Sequence, residues 1–161
     1  MIPNKDRVYI DESGIDACLY RKYGRAPRGE KVYGDISGKR FARESFVAAL
    51  SDGAILAPFC YEGTCNTELF NFWVEHCLVP VLKPGQVVIL DNATFHKSEA
   101  TRKLIENSGC FLLFLPPYSP DLNPIEKFWA NLKFKIRSVI TQFDSLQNAV
   151  DFSFKSYAIK V

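Results

Sequence analysis

The sequence predicts an α/β domain with a mixed sheet of about five strands and helices on both faces. Short apolar runs near the start suggest three strands, which we expect to be antiparallel. Two more apolar runs, 86–90 and 110–115, alternate with amphipathic patterns that are typical of helices. A length of 161 residues and an apolar fraction of 47% are enough for a buried core. The prediction is therefore a single domain over residues 1–161.

The early strands are predicted from runs rich in β-branched and aromatic residues. Residues 7–11 (RVYID) form the first strand, and residues 12–14 (ESG) are expected to turn the chain towards a hairpin partner at 17–20. Residues 45–50 and 54–61 form the next two strands, and a Ser-Asp-Gly sequence between them is a strong turn signal. These segments would make one antiparallel part of the sheet.

The helices are predicted from apolar spacing and from residues that suit the N-cap position. Asn66 and Ser98 can each cap a helix, and the second of these helices would end at Gly109. A last helix is expected to begin near 144–145. The apolar face of the first helix is predicted to carry Leu69, Phe72, Trp73, His76 and Pro80.

The segment 116–126 (PPYSPDLNPIE) is a stiff connector that leads into a further helix. Asn123 suits the N-cap, Pro124 suits the first helical position, and Glu126 falls where a capping box places its acid. The buried face of this helix is predicted to be formed by Ile125, Phe128, Trp129, Leu132, Ile136 and Val139. A neighbouring stripe carries Glu126, Ala130, Lys133 and Arg137.

Composition excludes several classes of protein. Five cysteines without a CxxC pair favour reduced thiols over a disulfide framework or a zinc site. Reduced thiols indicate a cytoplasmic protein, and no apolar run approaches the roughly 20 residues of a membrane span. The net charge of +2 is small, but residues 21–43 carry eight basic and two acidic residues. This segment is either a solvated loop or an arm that contacts phosphates.

Three carboxylates are candidates for one metal site. Asp11 and Asp91 follow predicted strands, and Glu126 begins a helix, so all three are expected at the edge where sheets of this kind bind ligands. Carboxylates that converge without a cation raise each other's pKa, and hard oxygen ligands suit Mg²⁺ or Mn²⁺. The alternatives are a cap role for Asp91 and the capping box for Glu126. Rival carboxylates near the first strand are Asp6, Glu12 and Asp16.

At these positions the chain resembles a known family. The stretches 11–13 (DES), 91–96 (DNATFH) and 116–133 (PPYSPDLNPIEKFWANLK) are similar to the catalytic domain of IS630/Tc1/mariner-type transposases. The 34 residues between Asp91 and Glu126 match the DD34E spacing of that group. The resemblance implies a ribonuclease-H-like fold. It also implies that Asp11, Asp91 and Glu126 hold two Mg²⁺ or Mn²⁺ ions, with Asp11 bridging both.

The activity that the resemblance implies is DNA transposition. The enzyme would cleave phosphodiester bonds at transposon ends and join the freed 3′-OH to double-stranded target DNA, at TA dinucleotides, and it would act as a homodimer on DNA. Family members carry an N-terminal helix-turn-helix region. The chain starts shortly before the first predicted strand, so we expect this region to be absent. The chain would then be a fragment, the product of a second reading frame or a remnant, and a separate protein or reading frame would supply the region. In a prokaryote the protein would associate with the nucleoid.

Further residues are candidates for contacts around this site. Asn92 and His96 lie beside Asp91 and would either orient Asp91 or substrate, or hold the loop. The predicted contacts with the DNA backbone are Arg25, Arg28, Lys31, Lys133 and Arg137. A solvated helix face is the alternative for the last two.

Two other functions remain open from the sequence. One is a different ribonuclease-H-like nuclease, such as a resolvase, which would share the fold and the metal but not the segment 116–126. The other is a truncated domain without activity that binds DNA or a partner transposase. The intact carboxylates favour an enzyme over a decayed site.

Overall fold

The computed structural model describes residues 2–20, 39–157 and 159–160 and forms one mixed sheet. The strands are β1 (Arg7–Tyr20), β2 (Lys39–Ser51), β3 (Ala54–Tyr61), β4 (Val87–Leu90), β5 (Phe111–Phe114) and β6 (Ile159–Lys160). Their order across the sheet is β5-β4-β1-β2-β3-β6. The pairs β1–β2 and β2–β3 are antiparallel, whereas β1–β4, β4–β5 and β3–β6 are parallel. The predicted mixed sheet is confirmed, and the two-residue edge strand β6 adds to it.

The helices cover both faces of this sheet, as predicted. They are α1 (Thr67–Trp73), α2 (Glu99–Asn107), α3 (Ile125–Val139) and α4 (Leu146–Lys155). A π-helical segment, Val74–Leu78, and a 3-10 turn, Val79–Val81, continue α1. Among the described residues, no helix combines the length and the apolar character that a bilayer span requires.

The predicted N-caps Asn66 and Ser98 are confirmed by their hydrogen bonds, and a third cap, Ser145, lies where the last helix was predicted to begin. The side chain of Asn66 accepts from the backbone N–H of Leu69 at 2.8 Å. The hydroxyl of Ser98 accepts from the N–H of Thr101, and the hydroxyl of Ser145 caps α4 in the same way. Each cap satisfies an N–H group that the first helical turn would leave without a partner, which explains why the helices begin at these points.

The alternation of side chains along β1 divides the core into two clusters. Val8 and Ile10 pack on one face of the sheet with residues of α1 and α2. Ile15 packs on the other face with residues of α3 and α4. Successive side chains of a strand point to opposite faces, so Asp11 belongs to the α3 side and Glu12 to the α1 side. This separation of two adjacent carboxylates determines the architecture of the site.

The predicted turn at residues 12–14 is wrong, because β1 continues without interruption to Tyr20 and pairs with β2 along its length. Gly14 serves close packing here. A Cβ atom at this position would lie 2.8 Å from Nη2 of Arg43 and 3.3 Å from the carbonyl oxygen of Glu44. The glycine that suggested a turn is therefore explained by the approach of the neighbouring strand.

The turn between β2 and β3 is confirmed. Asp52 and Gly53 both have positive φ angles, 50° and 76°, as the two central residues of a type I′ hairpin require. The pairing of β2 with β3 shifts register between Val47 and Ala49, and Ala57 on β3 also has a positive φ of 51°. The irregularity is a β-bulge within an otherwise regular hairpin.

The rotation of α1 differs from the prediction by one residue. Its buried residues, with those of the π-helical segment, are Phe70, Trp73, Val74 and Leu78. The indole N–H of Trp73 donates to the carbonyl of Ala57 at 2.8 Å, which anchors this face to β3. Phe72 and His76 are exposed and pack on each other. Both stripes are apolar in sequence, so spacing alone does not distinguish them.

The strand predicted at 110–115 exists as β5, but it is not buried on both faces. It forms an edge of the sheet, and Phe111 and Leu113 expose 64% and 46% of their surface. The prediction for α3 agrees more closely with the structure. Its apolar face is confirmed, with Phe128 half-buried at the margin.

Candidate active site

A cleft of about 680 Å³ collects all three candidate carboxylates. Asp11, Asp91 and Glu126 line it, together with Asn92, Asn123 and Tyr118. Tyr9 of β1 pairs with Ile89 of the parallel strand β4. Asp11 and Asp91 each follow a residue of this pair by two positions, so the parallel register places them side by side. The cleft therefore lies at the carboxyl end of β4, where sheets of this kind bind ligands.

Asp11 is nearly buried, with 8% of its surface exposed. Burial raises the pKa of Asp11 to about 8, and a hydrogen bond with the carboxyl of Glu126 and the charges of Glu12 and Glu126 add to the effect. Two carboxyl groups in direct contact are costly to ionise together unless a cation lies between them. The pair is thus suited to a positively charged ligand.

Glu126 lies in the first turn of α3, and Asn123 fixes that turn against β1. The side-chain oxygen of Asn123 accepts from the N–H of Ile125 at 3.2 Å, and its amide donates to the carbonyl of Ile10 at 3.5 Å. Asn123 therefore helps cap α3, as predicted, and ties the helix start to the residue before Asp11. Glu126 does not act as the acid of the predicted capping box, because its carboxyl contacts Asp11 instead.

Asp91 has a different environment. Its Oδ1 accepts from the backbone N–H of Ala93 at 2.9 Å and lies 2.7 Å from Nδ1 of His96. The contact with His96 is not aligned as a hydrogen bond, so it is a close ion pair. Burial tends to raise the pKa of Asp91, but His96 and the N–H of Ala93 outweigh it and hold the pKa below its usual value.

His96 is completely buried and joins two carboxylates. Its Nε2 donates to Oε1 of Glu12 at 2.6 Å, while Nδ1 faces Asp91. The ring packs against Phe70 and Phe95, with centroid distances of 4.5 and 4.3 Å. Burial alone would lower the pKa of His96, but the two carboxylates raise it to about 9. A doubly protonated imidazolium therefore links β1 to the loop after β4.

The rival carboxylates near the first strand lie elsewhere. Glu12 is on the opposite face of β1 from Asp11 and contacts His96. Asp16 is exposed and pairs with Arg43 at 3.0 Å. Asp6 lies in a 3-10 turn before β1. Asp11 is thus placed in the cleft by the strand itself.

The structure describes only some of the residues that are predicted to contact DNA. Arg25, Arg28 and Lys31 lie outside the described residues. Lys133 is half-buried and Arg137 is exposed on α3, about two and three turns beyond Glu126. Their spacing from Glu126 puts all three on one side of the helix.

Two features of the site were not predicted from the sequence. The first is the contact of Glu12 with His96. In the sequence, the only indication of this contact was a second acid directly after Asp11. The second is Tyr118, which is fully exposed in the wall of the cleft and has a φ of 59°. A bulky residue rarely adopts this conformation, and the prolines around it hold the backbone.

The donor chemistry of the cleft suits a divalent cation. The cleft offers carboxylate oxygens from three separate elements, and such hard ligands suit Mg²⁺ or Mn²⁺. Burial and the neighbouring acids raise the pKa of Asp11, and a cation in the cleft would oppose this shift. The arrangement can therefore concentrate positive charge where an anionic group would bind.

Comparisons with known proteins agree with this geometry. A family described as DDE superfamily endonuclease matches residues 6–148. The protein y4pE/y4sA of Sinorhizobium fredii, which is described as uncharacterized, is 49% identical over 43 residues, which are 27% of this chain and 30% of that protein.

Two solved structures share the fold. A Mos1 transposase paired-end complex with the left transposon end gives a TM-score of 0.64 at 18% identity, covering 98% of this chain and 49% of that chain. A Mos1 transposase catalytic domain with Raltegravir and Mg gives 0.63 at 16% identity, covering 95% and 71%. The chain thus spans about half of the first transposase. The likeness confirms the predicted ribonuclease-H-like fold.

Proposed function

The chain belongs to the DDE superfamily of endonucleases, and we propose that it is the catalytic domain of a Tc1/mariner-type DNA transposase. The observation that carries this proposal is the convergence of Asp11, Asp91 and Glu126 on one cleft. They come from β1, the end of β4 and the start of α3, with the spacing of the DD34E group between the last two. The shared fold with Mos1 transposase supports the same assignment.

Asp11, Asp91 and Glu126 would hold Mg²⁺ or Mn²⁺, and we propose two ions with Asp11 as the shared ligand. When bound, such ions activate the attacking oxygen and stabilise the charge that develops on the phosphate and the leaving oxygen. The likeness to a Mos1 catalytic domain solved with Mg supports the metal class. The contact between Asp11 and Glu126 supports a cation at this position, since a positive charge lets both acids ionise.

The residues of the chain position the reacting groups, and no protein nucleophile is needed. Water attacks a phosphodiester at the transposon end, so the phosphate passes to water and a 3′-OH is released. That 3′-OH then attacks a phosphodiester of target DNA, which forms one new bond and frees one target strand. Asn123 holds Glu126 beside Asp11, and His96 holds Asp91. Rigid placement of this kind lowers the entropic part of the barrier.

DNA is the proposed partner, with transposon ends and a TA target implied by the family. The likeness to a Mos1 complex with a left transposon end supports this substrate class. Lys133 and Arg137 lie on the side of α3 that carries Glu126, so they would contact the DNA backbone. Arg25, Arg28 and Lys31 are proposed as further contacts, and a homodimer as the active form. Terminal-repeat recognition would fall to a helix-turn-helix region, on the same protein or a separate one.

A cleavage assay tests the function. DNA that carries the terminal inverted repeats flanking the gene is incubated with the purified chain and Mn²⁺ or Mg²⁺. We expect nicks at the repeat ends and, with a target plasmid, joined products. Asp91→Ala should abolish both, whereas the exposed Glu106→Gln serves as the matched acid control. Metal-dependent cleavage of repeat ends without joined products would favour another nuclease over a transposase.

The salt dependence of DNA binding tests the basic segment. Replacing Arg25, Arg28 and Lys31 together with Ala should weaken DNA binding and flatten the plot of log affinity against log salt. Each lost phosphate contact should reduce the slope by about 0.9. An unchanged slope would contradict the contact with the DNA backbone and favour a role in pairing two subunits.

A further inference from the structure

We propose that Glu12 and His96 are positioning residues that fix the orientation of the Asp91 carboxylate in the cleft, and that neither binds the metal. Because this role presupposes Asp91 as a metal ligand, it rests on the function proposed above. It assigns a purpose to the second acid of the segment 11–13, which the metal site itself does not use.

The contacts of His96 exclude it from metal binding. Oxygen and nitrogen atoms of Glu12, Asp91 and His96 lie within 4.8 Å of one another, a spacing that could also hold an ion. However, Nε2 lies 2.6 Å from Glu12 and Nδ1 lies 2.7 Å from Asp91. Each ring nitrogen of the fully buried His96 therefore already faces a carboxylate oxygen, and an ion could reach either nitrogen only by displacing Glu12 or Asp91. The cluster is thus a closed ion-pair chain.

The same contacts select one oxygen of Asp91 for the cleft. Oδ1 receives the N–H of Ala93 and lies against the imidazolium of His96. The side chain of Asp91 is nevertheless 44% exposed, and it lines the cleft. Since Oδ1 is held from behind, rotation about the last side-chain bond is restricted and Oδ2 is the oxygen presented to a ligand.

Glu12 holds the His96 ring on the side opposite Asp91. The pleat of β1 turns Glu12 away from Asp11 and towards His96, and its side chain is 13% exposed. The aromatic rings of Phe70 and Phe95 limit the tilt of the imidazole, and Glu12 fixes its far nitrogen. Without Glu12, a buried N–H would lose its acceptor, and the ring would shift towards another partner. Asp91 would then lose its fixed orientation.

Mn²⁺ binding to the full chain without DNA provides the test. Free Mn²⁺ is measured by its electron paramagnetic resonance signal during titration, for wild type, Glu12→Gln and Glu12→Leu. Residues that orient a ligand typically change metal affinity by about 10–100-fold. We expect a loss in this range for Glu12→Leu and a smaller one for Glu12→Gln, whose amide oxygen can still accept from Nε2. Asp91→Asn should bind more weakly than both.

A matched control and a fold check accompany these variants. Asp16→Asn removes the same charge from the same strand at an exposed position, and it should bind Mn²⁺ as wild type does. Circular dichroism and thermal unfolding establish that each variant is folded.

Enzyme kinetics separate positioning from a structural role. For Glu12→Leu and Glu12→Gln, the Mn²⁺ concentration for half-maximal cleavage should rise about 10–100-fold, with kcat largely recovered at saturation. For Asp91→Asn, saturating Mn²⁺ should not restore kcat. A merely destabilised enzyme would instead show a lower kcat at an unchanged half-saturating Mn²⁺ concentration.

The outcomes distinguish this role from the proposed function. Unchanged Mn²⁺ affinity in folded Glu12→Leu, with Asp91→Asn defective, would overturn the positioning role alone. A loss in Glu12→Gln as complete as in Asp91→Asn would also overturn it, because Glu12 would then be a ligand. Normal Mn²⁺ binding by Asp91→Asn would overturn the proposed metal site and the positioning role with it.

Discussion

The two halves of the cleft hold the same kind of residue in opposite electrostatic states. Asp11 contacts another acid, and burial with that acid raises its pKa to about 8. Asp91 contacts a buried imidazolium, and its pKa lies below the usual value. One half therefore lacks a positive charge, whereas the other already contains one. The difference shows that a strand-end aspartate takes its properties from the partner that the fold provides.

This contrast suggests a division of labour within the site. The Asp91 half is ionised and oriented before any ligand arrives. In the half formed by Asp11 and Glu126, two acids are in contact without a positive charge between them. We therefore expect this half to contribute more to cation binding than the Asp91 half does. Changes in the two halves should therefore affect the metal-free protein in opposite directions.

The largest effect on stability is expected from His96→Ala. The change removes a buried cation and leaves Glu12 largely buried without its partner. Breaking a buried ion pair from one side typically costs about 3–5 kcal/mol. We expect the free energy of unfolding, measured in urea, to fall by about 3 kcal/mol. A change below about 1 kcal/mol would contradict the view that the Asp91 half is held by this ion-pair chain.

Asp11→Asn should have the opposite sign in the metal-free protein. Asparagine keeps the size of the side chain and can donate to Glu126, but it removes one of two acids in contact. We expect the free energy of unfolding without metal to rise by about 1 kcal/mol. Added Mn²⁺ should stabilise wild type, because a ligand that binds the folded state shifts the unfolding equilibrium.

The same variant tests the demand for a cation. The shift in Tm that Mn²⁺ produces in wild type should be absent in Asp11→Asn, as followed by differential scanning calorimetry. Glu106→Gln, an exposed acid on α2, provides the control and should keep the shift. A metal-free Asp11→Asn that is less stable than wild type would show that the contact with Glu126 is favourable without a cation.

A smaller effect is expected from the basic residues on the side of α3 that carries Glu126. Lys133→Ala and Arg137→Ala should each lower DNA affinity by roughly 3–10-fold at low salt, since each removes one cation near the proposed path of the DNA. Their free energies of unfolding should stay within about 0.5 kcal/mol of wild type. Wild-type affinity in both variants, measured by fluorescence anisotropy, would place the DNA on another side of α3.

Asp16→Asn should have the smallest effect. Asp16 lies on the same strand as Asp11, but its pair with Arg43 is exposed on both sides. Exposed ion pairs contribute about 0–1 kcal/mol, so little change in unfolding free energy is expected. A large loss in urea denaturation would mean that the outer part of β1 and β2 depends on this pair, and would weaken the contrast between buried and exposed acids.

Most of the fold could be predicted because local signals agreed with the long-range structure. The caps at Asn66, Ser98 and Ser145, and the turn at residues 52–53, each depend on residues close in sequence. The apolar face of α3 has one clear stripe, so its rotation followed directly from the spacing.

The errors arose where a local signal had two explanations. Gly14 is typical of a turn, but it lies within β1, where a Cβ atom would come close to Arg43 and to the backbone of Glu44 on the neighbouring strand. In α1, two neighbouring apolar stripes share Trp73, so the spacing did not show that Phe70 is buried and Phe72 is exposed. An apolar run at 110–115 did not reveal that β5 is an edge strand, since the order of strands depends on the whole sheet.

The candidate site could be predicted as far as single elements allowed. Strand ends, a helix start and the family spacing pointed to Asp11, Asp91 and Glu126, and the cleft brings them together. The opposite pKa shifts of Asp11 and Asp91 could not be predicted, because they depend on side chains from other elements. The contact of Glu12 with His96 joins residues 84 positions apart.

Because side chains of β1 alternate between the two faces of the sheet, the order of Asp11 and Glu12 in the sequence determines their contacts. Exchanging Asp11 and Glu12 would preserve charge, composition and the total number of atoms. Yet the shorter acid at position 12 would stop a methylene short of His96, and the longer one at position 11 would crowd Glu126. Substitution scores treat aspartate and glutamate as near synonyms. In β1 the two acids are not interchangeable. Exchanging them would look conservative in an alignment but would disrupt the contacts in both halves of the cleft.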